Sequence, residues 1–234
     1  MTTFDEQMQE VISNETLDLM PFEQNPDPRC AAVLVLDRSH SMSSNNAIEK
    51  LNKGLKVMHQ ELINDELAAR RIEIGVVSFG ANVTVESEIS PLDGFSPPNL
   101  VASGSTPMAE AMMQALHLIA RQTAIYKEAG IAYYKPWILL LTDGAPTDSP
   151  EEIDAAITQL IDAQRNGHVT VFAVGVDGAD FNILDRMTLN FNPKQLSGIK
   201  WSEFFIWLSN SLKKVSASNP SDKIGLDKSD AWEL

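Results

Sequence analysis

Cysteine is nearly absent from this chain. Cys30 is the one cysteine in 234 residues, which excludes an internal disulfide framework and a cysteine-rich zinc site. Basic charge is scarce as well: 18 Lys and Arg stand against 32 Asp and Glu, a net charge of −14. That balance excludes the basic footprint of a nucleic-acid-binding protein and argues against adhesion to anionic membranes. An apolar run of about 18 residues, the minimum for a transmembrane helix, occurs nowhere. The start, MTTFDEQMQE, lacks the basic and apolar stretches of a secretory signal. Internal repeats and low-complexity tracts are missing too. An acidic globular protein of the cytoplasm is expected, and its 44% hydrophobic content suffices for one domain core.

The acidic charge is uneven. Asp5, Glu6, Glu10, Glu15, Asp18, Glu23 and Asp27 give residues 1–28 a charge of −7 with no Lys or Arg. Asn25-Pro26-Asp27-Pro28 then forbids regular helix. Residues 1–28 therefore read as an acidic arm, with one short helix around Phe4–Ile12. Its apolar residues, Phe4, Met8, Val11, Ile12, Leu17, Leu19, Met20 and Phe22, allow it to dock on its own domain; its acids allow it to reach a neighbouring molecule. Residues 217–234 form a polar tail, which leaves 29–216 as the domain.

Within 29–216, apolar strands alternate with amphipathic helices. Cys30–Leu36, Ile72–Phe79, Trp137–Thr142 and Val169–Val174 are short apolar runs rich in β-branched residues, the pattern of buried strands. Asn82–Ile89 alternates polar with apolar and reads as an edge strand paired to Ile72–Phe79 in a hairpin. Ile48, Leu51, Leu55, Met58 and Leu62 share one helix face. Pro107 opens a second helix, and Ser149-Pro150-Glu151-Glu152 is a capping box for a third. Trp201, Phe204, Phe205, Leu208 and Leu212 line a last one. The fold class that follows is α/β, a doubly wound, mostly parallel sheet with one antiparallel edge strand. Ligands of such folds bind beyond the carboxyl ends of the strands, so the loops after Leu36 and Leu141 matter most.

Those loops hold oxygen donors. Asp37, Ser39 and Ser41 follow the first strand, Thr106 stands at a helix start, and Asp143 follows the Trp137 strand. Two carboxylates and three hydroxyls suit a hard dication, Mg²⁺ or Mn²⁺. Neutral hydroxyls leave the ion's charge largely uncancelled, so it stays electrophilic toward an outside carboxylate. Each residue also has a plain structural reading, as a turn aspartate or a helix cap; all five falling in the right order on the right strands favours the metal.

Asp37-x-Ser39-x-Ser41, Thr106 and Asp143 resemble the metal-ion-dependent adhesion site of von Willebrand factor A domains. Gly104-Ser105-Thr106-Pro107-Met108, Thr142-Asp143-Gly144-Ala145-Pro146-Thr147-Asp148 and Trp207-Leu208-Ser209-Asn210-Ser211-Leu212 are similar to the bacterial TerY/YegL-like branch, a likeness that extends to the tail Trp232. The resemblance implies a non-enzymatic module that captures an Asp or Glu of a partner protein, with Asp37 and Asp143 ligating directly or through water. It further implies a stress-response or tellurite-resistance setting beside a PP2C-like phosphatase or a Ser/Thr-kinase-like protein. The family usually has Gly where this chain has His40. His40 and Arg38 are therefore candidate partner-binding rim residues, Arg38 as a cation that attracts the incoming carboxylate.

Two other readings compete. His40 keeps alive a metal-free scaffold with a degenerate site. A Mg²⁺-dependent phosphatase would use Asp37 as nucleophile, but its general acid two residues on would be Ser39. No phosphate-binding GxxxxGK[ST] loop and no GxSxG elbow occurs. His59, His117 and His168 lack zinc-motif spacing and read as structural. Asp148 reads as a helix-terminus partner, Asp177 and Asp180 as turn residues, and Tyr133, Tyr134 and Trp137 as packing at the opposite end of the sheet.

Overall fold

The computed structural model describes residues 2–14, 25–196, 200–222 and 224–226. The elements run α1 (Phe4–Asn14), β1 (Cys30–Asp37), a 3-10 stretch (His40–Asn46), α2 (Ala47–Ile63), α3 (Glu66–Arg71), β2 (Ile72–Phe79), β3 (Val83–Pro91), α4 (Met108–Glu128), β4 (Trp137–Thr142), α5 (Pro150–Arg165), β5 (Thr170–Gly175), α6 (Phe181–Met187), β6 (Lys194–Gln195) and α7 (Trp201–Ser216). They form a six-stranded sheet of order β3-β2-β1-β4-β5-β6. Every strand pair is parallel except β2–β3, which puts the one antiparallel strand at an edge.

β1 is buried along its whole length, and its alternating side chains feed two cores. Ala32, Leu34 and Leu36 share one core with Leu51, Leu55 and Met58 of α2, Ala68 of α3, and Phe204, Phe205 and Leu212 of α7. Val33 and Val35 face the other layer, with Met112, Ala115 and Ile119 of α4, Leu160 of α5 and Leu184 of α6. Two covered faces are why the central strands carry no polar alternation.

The expected helix near the start exists as α1, and its buried Phe4, Met8 and Val11 join that second core against α4. Residues 25–29 are pinned at the N-terminal end of β1. Arg29, itself buried, pairs with buried Glu73 at 3.0 Å and donates to the carbonyls of Asn25 and Asp27. The arm's Glu15, Leu17, Asp18, Leu19, Met20, Phe22 and Glu23, and the tail Trp232, lie outside the described residues.

Three expectations need adjustment. The helix after Thr106 begins at Met108, with Pro107 as its cap rather than its first residue. The β2–β3 connection holds three residues, closed by Gly80 N–H donating to the Asn82 carbonyl at 3.2 Å. The helices α3 and α6 and the short β6 were not anticipated; two to seven residues carry too little periodicity to read.

Candidate metal centre

β1 lies between β2 and β4, where the strand order reverses direction, and the loops leaving β1 and β4 open there. Paired register sets Leu36 opposite Leu141, which brings the next residues, Asp37 and Thr142, side by side. Thr142 Oγ1 donates to Asp37 Oδ2 at 2.5 Å, and the Ser39 amide donates to Oδ1 at 2.7 Å. Asp37 is fully shielded from solvent. Burial raises its pKa above 3.8, against the opposing pull of the Ser39 and Thr142 hydrogen bonds.

The other donors gather at the mouth. Ser39 Oγ and Ser41 Oγ are 2.9 Å apart, and Ser41 Oγ donates to Asp143 Oδ1 at 2.6 Å. Burial raises the Asp143 pKa, and the nearby charge of Asp37 adds to the effect. Gly144 joins the cluster on its far side: a β-carbon there would stand 3.6 Å from Thr106 Oγ1 and 3.9 Å from Ser41 Oγ. All five oxygen-bearing residues expected from the sequence thus converge on one edge of the sheet.

Neighbouring loops hold this set in place. The Thr106 amide donates to Thr147 Oγ1 at 3.1 Å, and the Thr147 amide returns a bond to the Thr106 carbonyl at 3.0 Å. Asp148 accepts from the amides of Ala109 and Glu110. It therefore serves the α4 N-terminus, whereas its sequence neighbour α5 is capped by Ser149 and Glu152. Asn45 and Asn46 have positive φ (51° and 55°), a conformation asparagine tolerates, and they turn the chain from the Ser41 loop into α2. Gly178 has φ 103°, and a β-carbon there would meet the Asp143 carbonyl at 2.6 Å, so the loop after β5 presses directly on the site. Asp180 caps α6, while Asp177 is exposed beside Asp143.

The rim candidates diverge. His40 is exposed, its backbone amide bonded to the Gly104 carbonyl. Arg38 turns its guanidinium away from the mouth, to Ser78 Oγ and Ser103 Oγ, each at 3.0 Å. The histidines stand apart from the cluster: His59 bonds the Leu92 carbonyl, His117 is exposed, and His168 stacks on Phe4. Thr142 and Thr147 are the functional neighbours that sequence reasoning passed over. The signal for Thr142 was its adjacency to Asp143, but only the β1–β4 register gives it a purpose.

The donor set fits a small dication. Neighbouring ligands around an octahedral Mg²⁺ at about 2.1 Å lie about 3.0 Å apart, and the Ser39–Ser41 and Ser41–Asp143 contacts of 2.9 and 2.6 Å are near that spacing.

The sequence profile of the von Willebrand factor type A domain matches residues 32–198. The chain belongs to that family. Such VWA domains commonly serve as protein-interaction or adhesion modules. Solved structures of similar fold include the pilus adhesin SpaC of Lactobacillus rhamnosus GG (TM-score 0.63, 16% identity over 80% of this chain) and the vWF domain of the type V pili tip protein Mfa5 of Porphyromonas gingivalis (TM-score 0.60, 11% identity, 82% of this chain and 98% of that one). The conserved hypothetical protein BatB of Bacteroides thetaiotaomicron is another (TM-score 0.52, 15% identity, 81% of this chain and 100% of that one). The VWA chain spans only 31% of SpaC. No curated protein sequence matches it.

Proposed function

We propose that this VWA domain is a non-enzymatic protein-binding module that holds Mg²⁺, or Mn²⁺, on Asp37, Ser39, Ser41, Thr106 and Asp143. The observation that carries the reading is the run of close oxygens Ser39–Ser41–Asp143, spaced like adjacent ligands of one small ion. Bound there, the dication supplies an electrophilic position for an Asp or Glu carboxylate of a partner protein. The chain's own part is orientation. Asp37 has donors on both carboxylate oxygens and no exposed surface, so it acts through water or as a buried counter-charge. Asp143 and the three hydroxyls are left as direct ligands. The same burial disfavours Asp37 as a phosphatase nucleophile, because a substrate phosphate has no path to it. The partner we favour, from the likeness of the Thr106 and Asp143 segments to the TerY/YegL-like branch, is a PP2C-like phosphatase or a kinase-like protein of a bacterial cytoplasmic stress-response assembly.

Thermal unfolding with and without Mg²⁺ tests the proposal. A ligand at 100 times its Kd stabilises the folded state by about 2.7 kcal/mol, so the wild-type Tm should rise with Mg²⁺ and that of Asp143→Ala should not. Equal curves for wild type with Mg²⁺ and with EDTA would leave the metal-free scaffold standing instead.

A further inference from the structure

Arg38 is the residue whose position departs most from its expected role. It follows Asp37, at the centre of the site, yet its guanidinium is committed elsewhere. Nε donates to Ser78 Oγ and one terminal nitrogen to Ser103 Oγ, both at 3.0 Å, while the other reaches the Asn82 carbonyl at 3.4 Å. Ser78 is buried and passes its own proton to Glu86 Oε1 at 2.6 Å, so it is free to accept from Arg38. The backbone adds to this. The Arg38 amide donates to the Phe79 carbonyl and its carbonyl accepts from the Ser103 amide, both at 2.7 Å; the His40 amide donates to the Gly104 carbonyl at 3.0 Å.

Three loops therefore meet at one side chain: the one carrying Ser39 and Ser41, the β2–β3 turn, and the segment 103–105 that leads into Thr106. Their contact is close enough to require glycine. A β-carbon on Gly80 would lie 2.5 Å from the Ser103 carbonyl, and one on Gly104 would lie 2.3 Å from Ala81. Thr106 stands at the far end of the long connection from β3 to α4, whereas Asp37 and Asp143 stand at or beside strand ends, so its placement depends on such cross-bracing.

We propose that Arg38 is a positioning residue that sets the height of Thr106 against Ser41 and Asp143 by clamping segment 103–105 with its planar fork. This rests on the metal-dependent reading of the site and makes Arg38 part of its construction, not a free cation at its mouth. The fork supplies several donors in fixed directions, which a lysine ammonium on a flexible stem does not reproduce.

Arg38→Lys separates the two roles because it keeps the charge and removes the fork. Two measurements are needed. The first is hydrogen–deuterium exchange of the metal-free chain, followed for peptides covering 102–107 and for β1 and β4 as internal controls. The second is the Mg²⁺ titration of the same proteins by calorimetry. The expected result is faster exchange confined to 102–107 and a Mg²⁺ Kd raised about 10-fold, the scale of losing an outer support of a metal ligand. Adding Ser103→Ala to Arg38→Lys should then change little more, since both act through one contact. Wild-type exchange in 102–107 for Arg38→Lys overturns the proposal, whatever the metal does. Should wild type bind no Mg²⁺ while Arg38→Lys still loosens 102–107, the metal reading falls and the clamp stands.

Discussion

Thr142 Oγ1 and Asp37 Oδ2 are 2.5 Å apart, joining β4 to β1 at the point where the sheet opens to its site. The bond serves a carboxylate with no solvent-exposed surface. Hydrogen bonds to charged groups are worth about 1.5–3 kcal/mol, because the abandoned partner would otherwise stay buried and unpaired. Thr142→Val keeps the shape and deletes the donor. Its expected cost is about 2 kcal/mol, read from the midpoint of urea unfolding at neutral pH. A variant as stable as wild type would mean that the remaining donors from Ser39 and the Asp143 backbone satisfy Asp37 without Thr142.

Acid should weaken metal binding earlier than an ordinary aspartate would allow. Burial, helped by the Asp37 charge, raises the Asp143 pKa, so on the proposed reading protons compete with the metal for this side chain at a higher pH than for an unperturbed aspartate. The Mg²⁺-induced rise in Tm is expected to shrink as pH falls toward the raised Asp143 value. A Mg²⁺ effect whose loss with acid has its midpoint at or below pH 3.8 would contradict this.

Glu73 gives a pH signature far from the site. Burial raises its pKa above 4.5, and its hydrogen bonds with Tyr126 and the Arg29 charge only partly offset that. A carboxyl whose folded pKa is raised binds protons more tightly in the folded state. Its contribution to stability therefore grows as pH falls from neutral through the raised value toward 4.5, and is lost as pH rises again. Glu73→Gln should flatten that part of the stability profile, measured by chemical unfolding between pH 4.5 and 8, and leave Mg²⁺ affinity unchanged. An unaltered profile would assign the slope to other groups.

The first helix is part of the fold's energetics. Phe4, Met8 and Val11 are buried against α4, and Phe4 stacks on His168 with ring centroids 4.6 Å apart. Phe4→Ala should cost about 3 kcal/mol, the low end of aromatic truncations in cores, with Mg²⁺ binding unaffected. A change within 0.5 kcal/mol would show α1 to be a loosely held arm.

The residues that could be read from the chain and those that could not differ in a physical way. Cys30–Leu36 and Trp137–Thr142 announced themselves as central strands because each must be apolar on both faces when helices cover the sheet twice. Asn82–Ile89 announced itself as an edge by alternating. That Asp37, Ser39, Ser41 and Asp143 would gather on one edge of the sheet was legible because strand ends are fixed by the same patterns, and the loops of this architecture open at strand ends; Thr106 joins them from the start of a helix. Arg38 was not legible. Its charge pointed to solvent in any one-dimensional reading, while its real acceptors, Ser78 and Ser103, lie 40 and 65 residues away.

Sequence alone determined most of the local facts: which of the longer segments are strands or helices, roughly where they stop, and which oxygen donors stand near the stops. Those follow from side-chain periodicity and capping chemistry, which act over a few residues. Tertiary structure decided which strands are neighbours and in what register. Only that register puts Thr142 beside an aspartate 105 positions earlier, and Thr147 against Thr106. Hydrogen bonds of a few ångströms between distant segments depend on how two cores pack against one sheet, a property of the whole chain that no short stretch of it encodes.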